Sequence, residues 1–306
     1  MSRWLNNPVA IGLGTREIVV GARTRAQVRL PGLERLPALA RLHKSAPAPE
    51  PEPASIAIPD EQCCTEAGAL DALGAALAVM FTDDAAPASQ ETLHKRNAHM
   101  VLDDFWGNHA ILRGDFRTLR ARELEEIVLA HFSDTYGIDG ESLVVRFSLQ
   151  RGGRALFASA MSRALHDGIH EVSASAQVGI SRLTLCLPET LNRIGGAADD
   201  GEALLLFVAN ELLQAVMIDQ SHWVAYDSQR LFPGDASDGS RLAMLAEQLF
   251  ERSAASANLQ REDCKVYLCG TGTELAPFEA RFAAAIRLPQ PALDSSPAHR
   301  LMEYAR

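Results

Sequence analysis

The sequence lacks the basic excess, the long apolar segments and the leader that mark nucleic-acid-binding, membrane-spanning and exported proteins. Its 306 residues hold 29 Lys and Arg against 39 Asp and Glu, a formal net charge of −10, whereas binding phosphates requires a basic face. Apolar runs such as Ala203–Val208 are far shorter than the roughly 20 residues that cross a bilayer. Residues 1–8 contain no apolar leader segment. We therefore expect a soluble, cytoplasmic protein with no nucleic-acid partner.

Cysteines are few, and the common catalytic motifs are missing. No Cys-x-x-Cys pair occurs, and the odd number of thiols is unlike a disulfide framework; the five are Cys63, Cys64, Cys186, Cys264 and Cys269. No Walker A loop and no Gly-x-Ser-x-Gly elbow is present. We expect reduced, structural thiols.

The order of predicted elements repeats along the chain. With 47% hydrophobic residues and a length of about two domains, the chain has enough apolar sequence for two cores. Three short strands, an amphipathic helix and a further strand are predicted twice from period-2 and period-3.6 patterns. The first set is 9–13, 17–21, 27–30, 65–81 and 99–102; the second is 204–208, 212–218, 223–227, 240–252 and 265–268.

The remaining segments are predicted to extend the first half of the chain. Between the two sets lie a strand, a helix, a hairpin, a helix and a strand, at 110–112, 119–132, 142–160, 162–176 and 182–187. After the second set, a helix is predicted from about Ala276. Residues 46–59, rich in Pro, Ala and Glu, predict a semi-rigid or disordered insertion. We place the first domain at 1–195, with this insertion, and the second at 196–306, with the last residues free to return to the first.

Three segments resemble the nucleotide-binding motifs of the actin-like ATPase superfamily. Residues 9–15 (VAIGLGT) and 205–210 (LLFVAN) stand where its two phosphate hairpins would be, and 266–275 (VYLCGTGTEL) resembles its adenosine motif. With residues 101–187 included, the chain is most similar to the PilM pilus-assembly family and the cytoplasmic part of GspL secretion proteins. The resemblance implies an α/β, actin-like (ribonuclease H-like) fold of two lobes, each a mixed sheet flanked by helices, around a nucleotide cleft.

The two carboxylates of the superfamily motifs are absent from this sequence. Gly12 and Val208 occupy the positions where the superfamily has metal-binding Asp residues, and Mg²⁺ requires oxygen ligands. Phosphoryl transfer depends on positioning and charge stabilisation, so we predict a pseudo-ATPase with no catalytic or metal-binding residue and no required cofactor. Glu211 is the nearest carboxylate that could replace the lost ligands, and residual ATP or ADP binding stays open. The resemblance places the degenerate nucleotide cleft at Gly12, Gly14, Thr15, Asn210, Gly270, Gly272 and Thr273.

Two surface features admit a structural or a binding interpretation. His166 and His170 are four residues apart on a predicted helix, but no metalloprotease Glu accompanies them. We interpret them as solvated helix residues. Glu123, Glu125 and Glu126 are interpreted as a solvated helix face, although an acidic surface could also receive a basic, Leu-rich tail.

These observations lead to one functional expectation and two alternatives. The resemblance implies a non-catalytic scaffold of a type IV pilus or type II secretion-like platform, peripheral at the inner membrane. Its partners would be the cytoplasmic tail of a membrane protein and the assembly ATPase. The first alternative is an active ATPase or kinase with altered metal ligands, and the second is a stand-alone peptide-binding module.

Overall fold

The computed structural model describes residues 8–22, 52–81, 96–194, 201–257, 260–270, 272–288 and 295–306. Within these ranges the strands are β1 (Val9–Leu13), β2 (Glu17–Ala22), β3 (Ala54–Ala57), β4 (Arg96–Leu102), β5 (Gly107–Arg113), β6 (Leu143–Leu149), β7 (Ala155–Ser162), β8 (Val178–Leu185), β9 (Ala203–Val208), β10 (Leu212–Asp219), β11 (His222–Arg230), β12 (Lys265–Cys269) and β13 (Ala284–Arg287). The helices are α1 (Glu66–Phe81), α2 (Ala121–Tyr136), α3 (Arg163–Ser175), α4 (Cys186–Ile194), α5 (Gly239–Ala257), α6 (Ala276–Glu279) and α7 (Pro297–Ala305). None of these helices is both long and apolar enough to span a membrane.

Two five-stranded sheets with the same strand order form the framework. The first has the order β3-β2-β1-β4-β8, and the second has the order β11-β10-β9-β12-β13. In both, the first three strands of the order are antiparallel and the remaining neighbours are parallel. The repeated unit expected from the sequence is therefore confirmed. We call each sheet, with the helices that pack on it, a lobe.

The central strands β1 and β9 are apolar because both of their faces are covered. Every residue of Val9–Leu13 and of Ala203–Val208 is buried, as expected for strands with helices or sheets on both sides. In the first lobe, α1 and α3 pack on one face and α7 on the other. In the second lobe, α5 packs on one face. Its other face contacts β7 and α4 through Leu205, Phe207 and Val216, which joins the lobes.

The last helix of the chain packs on the first sheet. In α7, Ala298, Leu301 and Met302 are buried against Ala10 and Val101. Ser296 caps the helix by accepting a hydrogen bond from the backbone N–H of His299. Residues distant in sequence from β1 thus complete the covering of that strand.

A third sheet, of order β5-β7-β6, is antiparallel and extends the first lobe. Alternate residues of a strand point to opposite faces. Leu156 and Ala158 of β7 therefore pack with α2, while Phe157 faces the second lobe. This sheet contacts both lobes.

One sequence prediction was wrong, and another was confirmed only over a short segment. Within the insertion predicted at 46–59, residues 54–57 form β3, because Ile56 pairs with Ile18 of β2 and packs against the first core. The strand predicted at 27–30 and residues 46–51 lie outside the described residues. The helix predicted from about Ala276 ends at Glu279, and β13 follows because its backbone pairs in parallel with β12.

Candidate functional site

The two hairpins that resemble phosphate loops are bonded directly to each other. The buried Thr15, after β1, donates its hydroxyl hydrogen to Oε2 of Glu211 at 3.1 Å. Arg16 donates from Nε to Oε1 of the same carboxylate at 3.0 Å, and this hydrogen bond and charge raise the pKa of Arg16. We call Thr15, Arg16 and Glu211 the hairpin clasp. Both carboxylate oxygens of Glu211 are engaged by the opposite lobe.

The first position where the superfamily carries Asp is covered by α7. A Cβ atom at Gly12 would overlap the backbone carbonyl oxygen of Ala298 and the amide nitrogen of Met302. Gly14 also lies close to Ala298. Glycine at position 12 therefore permits the close approach of the last helix, and a carboxylate there would displace it.

Val208, at the second position where the superfamily carries Asp, belongs to an apolar core. Val208 is 7% exposed and packs in the cluster that β9 and α5 form. Gly270, after β12, has a φ of +93°, and its Cα lies against the carbonyl group of Val208. An L-residue at 270 would be strained and would also clash there. This close packing brings the loop that resembles an adenosine motif onto the end of β9.

A cavity of about 90 Å³ separates the lobes, well below the roughly 300–1,000 Å³ typical of ligand pockets. The first lobe, the second lobe and α7 all contribute to its wall. The lining includes Asp103, Asp104, Cys186, Thr190, Phe207, Val208, Gln214, Gly270, Arg300 and Tyr304. We call it the interlobe cavity.

A larger, open cavity of about 850 Å³ lies on the second lobe. It begins at Gly270 and extends past Gly272 and Thr273 to the first residues of α5. Asn210 is exposed on its hairpin and does not line either cavity. The seven residues predicted for the cleft therefore divide among a covered strand, the clasp, an exposed turn and this open cavity.

Sequence reasoning missed the acidic pair at the end of β4. Asp103 and Asp104 both line the interlobe cavity. The backbone N–H of Phe105 donates to Oδ1 of Asp103 at 2.9 Å, but burial raises the pKa of Asp103 to about 7, with a smaller contribution from the charge of Asp104. Two carboxylates directly after a buried parallel strand were the available signal, because ligand sites of α/β sheets lie beyond strand carboxyl ends.

A separate groove runs between the two sheets of the first lobe. Its volume is about 260 Å³. One wall is β8, an edge strand whose only partner among the described strands is β4. The other walls come from β6, β7 and α3; lining residues include Val144, Arg146, Ser159, Met161, His166, His170, Ile180, Arg182, Leu183, Thr184 and Leu185. We call it the β8 groove.

The lining of the β8 groove includes one unpaired hydroxyl and two histidine rings. The hydroxyl of Thr184 is buried and has no hydrogen-bond partner in the described structure. The rings of His166 and His170 lie 4.7 Å apart, line this groove and are partly exposed. The acidic residues Glu123 and Glu126 are exposed on α2.

Neither the groove nor the interlobe cavity contains an evident metal site. Across the described ranges, no group of three or more His, Cys, Asp or Glu side chains could hold a metal ion. All five cysteines are free thiols. Burial raises the pKa of Cys264 and Cys269 to about 12, which keeps these thiols protonated and unreactive at neutral pH.

Comparison with known proteins identifies the fold. No protein-family model matches the sequence, and no curated protein matches it. The solved PilM–PilN type IV pilus biogenesis complex has a TM-score of 0.59 at 12% identity, over 98% of this chain and 97% of that one. A Bacteroides thetaiotaomicron protein with an actin-like ATPase fold and unknown function has a TM-score of 0.56 at 8% identity, over 99% of both chains. The chain has the actin-like ATPase fold.

The fold expected from the resemblance is thus confirmed, with two mixed sheets flanked by helices. A further solved structure is the cytoplasmic domain of EpsL, an inner membrane component of the type II secretion system of Vibrio cholerae. Its TM-score is 0.48 at 12% identity, over 97% of this chain and 93% of that one.

Proposed function

We propose that this actin-like protein is a non-catalytic scaffold that binds an extended tail of a membrane protein in the β8 groove. The tail would belong to an inner-membrane platform of the type IV pilus or type II secretion kind, and the assembly ATPase is a second partner. The protein would then lie in the cytoplasm, peripheral to the inner membrane. The observation that carries the proposal is the contrast between a closed cleft and an open-edged groove.

The closed cleft supports the absence of ATP hydrolysis. Phosphoryl transfer needs bound phosphates, a metal and an aligned water. Here the clasp joins the hairpins that would have to part around phosphates. In addition, α7 covers Gly12, and Val208 lies in a core. The interlobe cavity of about 90 Å³ is too small for a nucleoside triphosphate.

The β8 groove supports binding of an extended peptide. An unpaired strand edge offers backbone N–H and C=O groups to an added strand, and neighbouring pockets then select alternate side chains. Apolar side chains such as Met161 and Leu183 line the groove. The PilM–PilN complex, similar in fold, provides a precedent for partner binding by such a protein.

The tail proposal is tested with a peptide array and one matched pair of variants. The array displays the cytoplasmic termini of the single-pass inner-membrane proteins of the source organism, and the full chain is the probe. We expect Arg146→Glu, in the groove, to reduce binding of the best peptide at least tenfold. Arg151→Glu makes the same charge change in the exposed β6–β7 turn and should leave binding unchanged. If both variants bound the peptide equally well, the β8 groove would not be its binding site.

The absence of catalysis is tested separately, by calorimetry with Mg²⁺-ATP and a phosphate-release assay. We expect neither binding in the micromolar range nor turnover. The alternative, an active ATPase or kinase, draws support from the open cavity beside Gly270 and Thr273. That alternative predicts metal-dependent ADP formation that disappears in Glu211→Gln.

A further inference from the structure

A continuous set of hydrogen bonds joins the interlobe cavity to the β8 groove. Gln214 of the second lobe donates from Nε2 to Oδ2 of Asp104 at 3.0 Å. Oδ1 of Asp104 and Nε2 of His109 are 2.8 Å apart, and Nδ1 of His109 lies 2.8 Å from the hydroxyl of Ser159. Gln214 and Asp104 line the cavity, and Ser159 lines the groove. We call these four residues the polar chain.

Each member of the polar chain fixes the orientation of the next. The four side chains are at most 9% exposed, so water is largely excluded from replacing a lost bond. The carboxylate of Asp104 can only accept; therefore His109 donates from Nε2, and in the neutral ring Nδ1 accepts from Ser159. Tyr226 holds Gln214 in place by donating to its Oε1 at 3.0 Å. Breaking one bond in such a buried network leaves its neighbours unpaired.

Asp104 also fixes the wall of the groove directly. The backbone N–H of Leu187 donates to Oδ1 of Asp104 at 2.9 Å. Leu187 is in the first turn of α4, directly after β8, and Ile180 to Leu185 of β8 line the groove. The position of the β8 end and the contact between the lobes therefore depend on one carboxylate.

A nucleophilic role for Ser159 does not follow from its pairing with His109 and Asp104. A hydrolytic triad needs free backbone N–H groups near the serine to stabilise an oxyanion. Here β7 is the central strand of its sheet, with β5 and β6 paired on either side over this residue. The hydrogen-bond ladders of the sheet engage the backbone groups of β7. We therefore interpret Ser159 as a residue that fixes the position of its neighbours rather than as a nucleophile.

We propose that the polar chain couples the contact between the lobes to the shape of the β8 groove. When Gln214 is bonded to Asp104, the end of β8 and Ser159 are held in the observed positions. When the lobes separate, Asp104 loses a donor and the groove relaxes. Because coupling between two sites is reciprocal, an occupant of the groove shifts the lobe contact in turn. The identity of that occupant rests on the proposed function; the coupling does not.

The test is hydrogen exchange on the full chain without any peptide. Gln214→Leu removes the bond to Asp104. We expect amides of 159–161 and 180–185 to exchange about fivefold faster or more, the lower end of usual coupling between sites. The control is Gln150→Leu, which removes a different contact of the second lobe, the paired hydrogen bonds of Gln150 with the backbone of Trp223 in β11. This control should leave the exchange rates of the groove amides unchanged.

A second variant changes the groove end of the polar chain and distinguishes coupling from a general loss of stability. Ser159→Ala removes one hydroxyl, and we expect faster exchange at 212–216 in the second lobe. Unchanged exchange in Gln214→Leu and Ser159→Ala, or an equal effect of Gln150→Leu on the groove, would overturn the coupling. Because no peptide is present, these outcomes are independent of whether the array identifies a tail.

Discussion

The cleft between the lobes and the β8 groove differ in how completely their polar groups are paired. In the cleft, Thr15 and Arg16 engage both oxygens of Glu211, and Asp104 accepts three hydrogen bonds. In the groove, one edge of β8 has no partner among the described strands. Paired groups stabilise the empty protein, whereas unpaired groups favour an occupant. This comparison supports the proposal that the first region is structural and that the second binds a partner.

The two lobes also close the cleft by different means, although their sheets have the same topology. The first lobe uses a helix from the end of the chain, whose backbone lies on Gly12. The second lobe places an apolar side chain, Val208, in its own core. Restoring a carboxylate should therefore be more damaging at Gly12, where there is no room for any side chain.

The largest expected effect is that of Gly12→Asp. The new side chain would collide with the backbone of Ala298 and Met302 and bury a carboxylate under α7. We expect the free energy of unfolding to fall by about 4 kcal/mol or more, the range of buried charge and overpacking. Urea unfolding followed by circular dichroism measures it.

The matched control for that substitution is Gly272→Asp. Gly272 is exposed, and a Cβ there meets none of the described residues within 4 Å. We expect a change within about 0.5 kcal/mol, as for exposed positions. A stable Gly12→Asp protein that binds Mg²⁺-ATP would show that α7 moves aside, and the cleft would no longer count as closed.

The next effect concerns the acid of the interlobe cavity. Burial raises the pKa of Asp103 from 3.8 to about 7. The folded state thus binds this proton more tightly than the unfolded state, and stability falls as the pH rises from about 4 to 7. Asp103 contributes at most about 1.4 kcal/mol per pH unit to the slope of the unfolding free energy against pH.

Asp103→Asn removes this titration, and unfolding at several pH values measures its share of the slope. We expect the variant to have a flatter stability profile between about pH 4 and 7 than the natural chain. Asp139→Asn, at an exposed turn of the third sheet, is the control and should leave the profile unchanged. The same slope in Asp103→Asn and in the natural chain would place the titrating group elsewhere.

The fold could be predicted from the sequence because its signals are local. The apolar runs of β1 and β9 and the turn residues after them are visible over a few positions. β3 was missed because proline-rich flanks hid a four-residue strand whose pairing is with β2. A short strand of this kind is specified by its partner more than by its own sequence.

The site could be predicted only in part because its contacts are distant in sequence. Gly12 was visible as a missing carboxylate, but the helix that covers it comes from the end of the chain. The partners of Glu211 lie 195 and 196 residues away. A helix pattern does not show that His166 and His170 share a groove with β8, because that strand is a separate element of the chain. Asp103 and Asp104, in contrast, were recognisable as carboxylates that end a buried strand.

The smallest expected effect, from Glu211→Ala, separates the clasp from the other features that close the cleft. Arg16 is half exposed, and such ion pairs contribute about 1 kcal/mol or less. We expect the free energy of unfolding to fall by about 1–3 kcal/mol, because the buried hydroxyl of Thr15 also loses its acceptor. The double variant with Arg16→Gln should lose little more, because both changes remove the same ion pair. Calorimetry with Mg²⁺-ATP should still detect no binding, since α7 and Val208 remain in place. If Glu211→Ala alone gained nucleotide binding, the clasp would be what keeps nucleotide out of a functional cleft. The contrast between a structural cleft and a recognition groove would then be wrong.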